Sequence, residues 1–298
     1  MSLPRLVLGT AALGLPYGLP KPGSTTPALI PDDAAAALVA AAVAVGVHRF
    51  DTAPAYGVAE ERLGRHLGPR GTVWTKVDHR LEAGPALAGG LDASIQASLQ
   101  RLQRPRVDLL QWHNWTRRLG EDPSWARAWA GLAGDPRLGG RGCSTYGVED
   151  ALAAVASGHF ELVQVEGNLL NPAVLEAVAI PARAAGVAIA VRSVFLQGVL
   201  TPTGATLPPH LAGLAPARAR AEARAEALGM PLNHLALRAV LDHPAVSWVL
   251  LGLDGEDQLA DAVAAAARPP LDPAVRAGLA DLVVADARLT DPRCWARP

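Results

Sequence analysis

Four side chains in this sequence could move a proton together: Asp51, Tyr56, Lys76 and His113. The first two lie in the stretch FDTAPAYGVAEERLG, residues 50–64, which begins as an apolar run and ends with helical spacing. A free tyrosine, with a pKa of about 10, is a poor acid and a poor base at neutral pH. A nearby ammonium favours the phenolate, and an aspartate keeps that ammonium charged and in place. A histidine can hydrogen-bond the reacting oxygen and orient it. Such a set gives a proton to a carbonyl oxygen or takes one from an alcohol. The carbon then needs a hydride partner, which no side chain supplies, so a nicotinamide cofactor is implied. Lysine is scarce here: of 27 basic residues only Lys21 and Lys76 are lysine. A lysine inside the run TVWTKV must therefore be paired or reach solvent along its stem.

These residues need a frame that brings distant strand ends together. Apolar runs occur at 6–10, 47–52, 72–77, 107–113, 138–144, 161–166, 187–193 and 246–252. Continuous apolar runs suit parallel strands covered on both faces. Helical patterns lie between and after them, at 32–45, 59–67, 90–102, 124–132, 148–156, 173–185, 217–228, 232–241, 256–267 and 273–288. Eight strands alternating with helices in 298 residues predict a single-domain (β/α)8 barrel over residues 1–298. An open doubly wound sheet is the competitor, but no G-x-G-x-x-G follows any strand. Barrel chemistry sits at the C-terminal strand ends. There Asp51 closes the second run, Lys76 nears the end of the third and His113 closes the fourth. The Pro/Gly-rich stretch 201–215 reads as a lid or binding loop.

Composition excludes other classes. The net charge of −1 implies no basic face, which argues against a nucleic-acid partner. Cys143 and Cys294 are too few for a disulfide framework or a cysteine zinc site. Without a signal-peptide pattern or an uncharged apolar run of membrane-spanning length, the expectation is a cytosolic chain that does not engage membranes. The oligomeric state is not legible.

The segment DTAPAYGVAEERLG resembles the aldo-keto reductase signature D-T-A-x-x-Y-G-x-x-E-x-x-L-G at every fixed position. The resemblance continues through TKV at Lys76, DLLQWH ending at His113, GCSTYG, VQVEGNL, RSVFLQGVL and LGLDGEDQLADAV, and covers essentially the whole chain. It implies an NADP(H)- or NAD(H)-dependent oxidoreductase acting on a small carbonyl compound or sugar, with Tyr56 as proton donor, Asp51 and Lys76 tuning it, and His113 orienting the carbonyl. It also implies Ser144 and Gln164 at the nicotinamide amide, Thr10 near its ribose, Ser193, Leu196 and Gly198 around the pyrophosphate, Gly252 in the same wall, and Gln258 by the adenosine. Tyr17, Trp112 and Trp115 are the expected substrate-pocket lining.

Three positions depart from the family pattern. Ser144 is followed by Thr145 where asparagine is common. Arg192 stands where an aromatic ring often stacks on the nicotinamide; it either stacks in turn or pairs with a carboxylate. Asp254 stands where NADPH-preferring members carry a residue that clamps the 2′-phosphate. A carboxylate there suits a free ribose hydroxyl, although Asp254 could instead only cap the next helix. Two other readings compete: a non-catalytic nucleotide-binding barrel acting as a sensor or partner subunit, and a Schiff-base lyase built on Lys76.

Overall fold

A strand covered on both faces shows its period-two alternation only once its neighbours are known. A computed structural model of the chain, which describes residues 5–20, 24 and 26–295, supplies them. The strands are β1 (Leu6–Gly9), β2 (Arg49–Asp51), β3 (Thr72–Lys76), β4 (Leu109–Trp112), β5 (Arg141–Ser144), β6 (Leu162–Glu166), β7 (Ala188–Arg192) and β8 (Val246–Gly252). They close into a barrel in sequence order, every neighbour parallel, with β8 returning to β1. The expected (β/α)8 fold is the observed one. An isolated bridge between Val107 and Leu138 precedes β4 and β5. It accounts for the earlier starts that the apolar runs suggested there.

Alternation divides six of the eight strands between two cores. Leu6, Leu8, Phe50, Val73, Leu110, Cys143, Val163, Val165, Ile189, Val191, Val249 and Leu251 belong to the apolar layer between barrel and helices. Val7, Trp74, Leu109, Leu162, Ala190 and Leu250 form a separate cluster inside the barrel. Two residues further along the same strands are Gly9, Lys76, Gln111, Gln164, Arg192 and Gly252. The interior changes from apolar to polar within one side-chain layer, at the C-terminal mouth. Parity thus fixes which residues can reach the site.

Helices Asp32–Ala44, Ala59–Leu67, Leu87–Leu102, Pro123–Ala130, Gly147–Ala156, Ala173–Ala185, Ala215–Ala227, Leu232–Leu241 and Glu256–Ala267 follow the sequence expectation to within a few residues. Two regions differ. The expected helix at 273–288 is only Pro273–Ala277, followed by a 3-10 turn, Gly278–Leu282. Val283 is extended, and the Val284 amide donates to the Leu170 carbonyl, which ends the run. The stretch 201–215 is not an open lid. It folds into 3-10 turns Pro202–Ala205 and Pro209–Leu214, with Leu211 and Leu214 buried in a second apolar cluster beside Leu196 and Leu235. No helix among the described residues is long and apolar enough to cross a membrane.

Candidate active site

β2 ends at Asp51, and the chain turns through Thr52–Tyr56 into the helix Ala59–Leu67. That turn is pressed onto the turn after β1. A Cβ on Gly14 would lie 1.8 Å from the Tyr56 carbonyl oxygen, and one on Gly57, at φ +55°, would lie 2.3 Å from the Gly14 carbonyl oxygen. Glycine on both sides lets the loop that carries Tyr56 settle against the barrel rim. Glu60, at the start of the helix, is buried. It accepts from the Thr75 hydroxyl at 2.5 Å and from Arg101 Nε at 2.7 Å. It pins the helix to β3 from the outside, while Lys76, next along the strand, points in.

Lys76 Nζ donates to Asp51 Oδ2 at 2.6 Å and to the Thr52 carbonyl at 2.9 Å, and sits 4.9 Å from the Tyr56 ring centroid. Lys76 and Asp51 are 1% and 2% exposed, so neither could stay charged without the other. Burial penalises the Lys76 ammonium, yet Asp51 and Tyr56 outweigh it and its pKa is raised. For Tyr56 the balance differs from the sequence expectation. Desolvation raises its pKa, and the opposing pull of Lys76 does not cancel that. The phenol therefore stays protonated throughout the neutral range. His113 meets the Tyr56 ring edge-on, with centroids 6.0 Å apart. Burial, then Lys76, His79 and Arg192, lower its pKa to about 3, so it is neutral. Its Nδ1 is buried without a hydrogen-bond partner among the described residues.

Asp51, Tyr56, Lys76 and His113 face one cavity of about 230 Å³, together with Thr10, Tyr17, Ser144, Gln164, Arg192, Ser193 and Gly252. Most of the residues that line it carry polar side chains. A second cavity of about 470 Å³ adjoins it through shared residues Tyr17, Ser193, Gln197, Leu250 and Gly252, and is lined further out by Gly198, Asp254 and Gln258. The two lie side by side at the barrel mouth. In the larger one Gln258 Nε2 donates to Asp254 Oδ1 at 2.5 Å, and the Asp254 amide donates back to Gln258 Oε1. Asp254 is not the helix cap: the N-cap of Glu256–Ala267 is Gly255, without a side-chain hydrogen bond. Asp257 and Asp261 line the same cavity, and no arginine or lysine does so among the described residues.

Several expected residues are placed otherwise. Trp112 and Trp115 do not line the cavity. They are 4% and 2% exposed, in a ring cluster with Trp125, Trp129 and Phe160. The reason is parity: Trp112 lies between inward Gln111 and the site histidine, so it faces outward. Leu196, at φ +46°, buries its side chain in the second apolar cluster and lines neither cavity. Arg192 makes the carboxylate pairing that the sequence offered, and the ring it meets is one of the chain's own, Tyr146. It approaches Glu166 at 3.5 Å, donates to the Thr145 carbonyl at 2.7 Å, and lies 4.0 Å from the Tyr146 ring centroid. Thr10 spends its hydroxyl on the Asp51 carbonyl at 3.0 Å.

Sequence reasoning missed Gln111, Asn114, Tyr146 and Arg293. Gln111 was visible as an amide inside an apolar run, as Gln164 was; the others depend on loop paths. Arg293 comes from the C-terminal segment, with its guanidinium 3.7 Å from the Tyr146 centroid, and closes the cavity with Pro292. Two guanidinium groups so near one centroid have no room on a single face, so Tyr146 is held between them.

The Aldo/keto reductase family profile matches residues 5–282. Among solved structures, the Pseudomonas aeruginosa protein PA4992, provisionally assigned as an aldo-keto reductase, is 28% identical, with TM-score 0.65 over 88% of this chain and 89% of that one. A second Pseudomonas aeruginosa structure with the same provisional assignment is 26% identical, with TM-score 0.63 over 88% of each chain. The aldo-keto reductase AKR11C1 from Bacillus halodurans, in its holo form, is 23% identical, with TM-score 0.78 over 94% of this chain and 92% of that one; at that identity the likeness is one of fold. No curated protein sequence matches the chain significantly.

Proposed function

The chain belongs to the aldo/keto reductase family, and from that premise we propose that it is an NADH-preferring reductase of small, polar carbonyl compounds, with Tyr56 as the proton donor. The observation that carries this reading is the convergence of Tyr56, Lys76, Asp51 and His113 on one cavity at the barrel mouth. When bound, the nicotinamide supplies the hydride that the chain lacks. The neutral His113 orients the carbonyl oxygen by a hydrogen bond. Tyr56 delivers its phenolic proton to that oxygen. Lys76, 4.9 Å from the ring, stabilises the phenolate left behind, and Asp51 keeps Lys76 charged. In the alcohol-oxidising direction Tyr56 takes the proton back.

The adjoining cavities suit a dinucleotide: five shared wall residues join a distal groove to the catalytic end. Gln164 and Ser144 would hold the nicotinamide amide, and Asp254 and Gln258 would face the adenosine half. Asp254, Asp257 and Asp261 in that groove disfavour a 2′-phosphate and can accept from a free ribose hydroxyl. The small volume of the catalytic cavity and its Asn114, Tyr146, Arg192 and Arg293 walls favour a compact hydroxylated aldehyde or a sugar.

The test is a calorimetric titration with NADH and NADPH, then turnover of a panel of small aldehydes and ketones. NADH binding more tightly, and a Tyr56→Phe variant that keeps this affinity but loses about 10²- to 10⁴-fold in kcat, are expected. NADPH bound tenfold more tightly than NADH would overturn the cofactor preference. Binding of neither below about millimolar, with no turnover, would sink the reductase reading in favour of a non-catalytic barrel.

A further inference from the structure

Asp51 has two oxygens, and only one meets Lys76. Oδ2 takes the ammonium; Oδ1 accepts from Gln111 Nε2 at 2.7 Å and from Gln164 Nε2 at 3.2 Å. Gln164 Nε2 also donates to Gln111 Oε1 at 3.0 Å. Both glutamines are at most 1% exposed. An ionised carboxylate only accepts hydrogen bonds, so both amides must turn their NH₂ groups to it. That settles their orientation by chemistry. Gln164 then spends one N–H on Asp51 and one on Gln111, which leaves its carbonyl oxygen for the cavity it lines.

Gln111 itself is not in the cavity wall. It lies below, opposite Lys76 in the β3–β4 register and opposite Gly142 in the β4–β5 register. A Cβ on Gly142 would lie 2.7 Å from the Leu162 carbonyl oxygen and in ordinary contact, at 3.5 Å, with Gln111 Cγ, so it is the close β6 backbone that calls for glycine beside the amide. In place of a further apolar layer, the barrel holds a buried amide whose two ends are both used.

We propose that Gln111 is a positioning residue of the proton-transfer site: it holds the Asp51 carboxyl group aimed at Lys76, and it sets Gln164 with its carbonyl oxygen toward the cavity. The assignment rests on the reductase reading above. Without Gln111, Oδ1 of a buried carboxylate loses its shorter hydrogen bond, and Gln164 loses the acceptor that fixes its amide.

Two substitutions test this beside the wild type, with kcat, carbonyl KM and thermal midpoint measured from pH 5 to 10. Gln111→Met keeps much of the volume and removes both hydrogen-bonding ends. It is expected to lower kcat by about tenfold, the worth of one charge-assisted bond, with little change in KM. Gln111→Glu places a second carboxyl against Asp51, facing Lys76 and Gln164, with Tyr56, His113 and Arg192 at the cavity wall above. Two such groups cannot both ionise cheaply, so at low pH the new carboxyl keeps a proton and donates it to Asp51 as the amide did. Gln111→Glu is therefore expected near wild-type kcat at the acid end and to lose it as pH rises through the titration of the pair, a limb absent from the wild type. Wild-type kcat and pH profile in both variants, whatever their thermal midpoints, would overturn the assignment. Should Gln111→Glu fail to fold, Gln111→Met decides alone. A wild type that turns over no carbonyl compound removes the reductase reading and this assignment with it, a result distinct from an active wild type with indifferent variants.

Discussion

At Tyr56 desolvation and a neighbouring cation pull in opposite directions, and desolvation wins. The consequence is a sign. A phenol with a pKa above its ordinary 10 stays protonated through neutral and mildly alkaline pH. Carbonyl reduction, which uses the protonated form, should stay level across that range and decline only above the raised pKa. Alcohol oxidation, which needs the phenolate, should climb with pH over the same window. His113, lowered to about 3, should add no limb between pH 5 and 8. Rate profiles in both directions check this; a histidine-like limb near pH 6.5 would contradict the neutral His113. The signature residues also sort by task. On the proposed reading Asp51 and Tyr56 carry chemistry, whereas Glu60, Leu63 and Gly64 carry packing. Leu63 is fully buried, and a Cβ on Gly64 would lie 2.5 Å from the Arg101 carbonyl oxygen.

Between elements, the contact that matters most is the one between the turn after β1 and the loop after β2. The backbones at Gly14 and Gly57 approach too closely for any side chain. Gly14→Ala should therefore lift the Tyr56 loop. The expected result is a loss of about 1–3 kcal/mol in stability, as for other overpacked sites, with a fall in kcat beyond what partial unfolding explains. Chemical denaturation and kcat on the folded fraction would check it, and an unchanged kcat would mean that the loop position is set elsewhere. The tryptophan cluster teaches the converse. Trp125 and Trp129 stack at 14°, with Trp112 edge-on to both. Aromatic residues next to catalytic ones in sequence serve here as the wedge between β4 and its covering helix.

Across the whole molecule, the site is completed by a segment outside the region the family profile matches. Residues 283–295 return over the barrel, held by the Val284 amide on Leu170, Asn171 Nδ2 on the Thr290 hydroxyl at 3.0 Å, and Trp295 against the second apolar cluster. They deliver Pro292 and Arg293 to the cavity. Arg293→Ala should raise KM for hydroxylated aldehydes by about tenfold, the equivalent of one hydrogen bond. NADH affinity and the thermal midpoint should hold, because the side chain is half exposed. An unchanged KM across the panel would show that the C-terminal wall does not touch substrate.

The sequence by itself determined the barrel and the run of strands and helices, and it offered the four residues proposed to handle the proton. Those depend on local periodicity and on a loop motif that is contiguous in the chain. It also held, unread, the parity that turns Gln111 inward and Trp112 outward, since one inward residue fixes its neighbours on a strand. What only the tertiary structure decided is whatever depends on meeting across the barrel. The amides under Asp51 come from β4 and β6, and Tyr146 is gripped by arginines from β7 and the C-terminal segment. The helix expected at 273–288 breaks because its backbone is claimed by Leu170, a partner more than a hundred residues away that no local pattern announces.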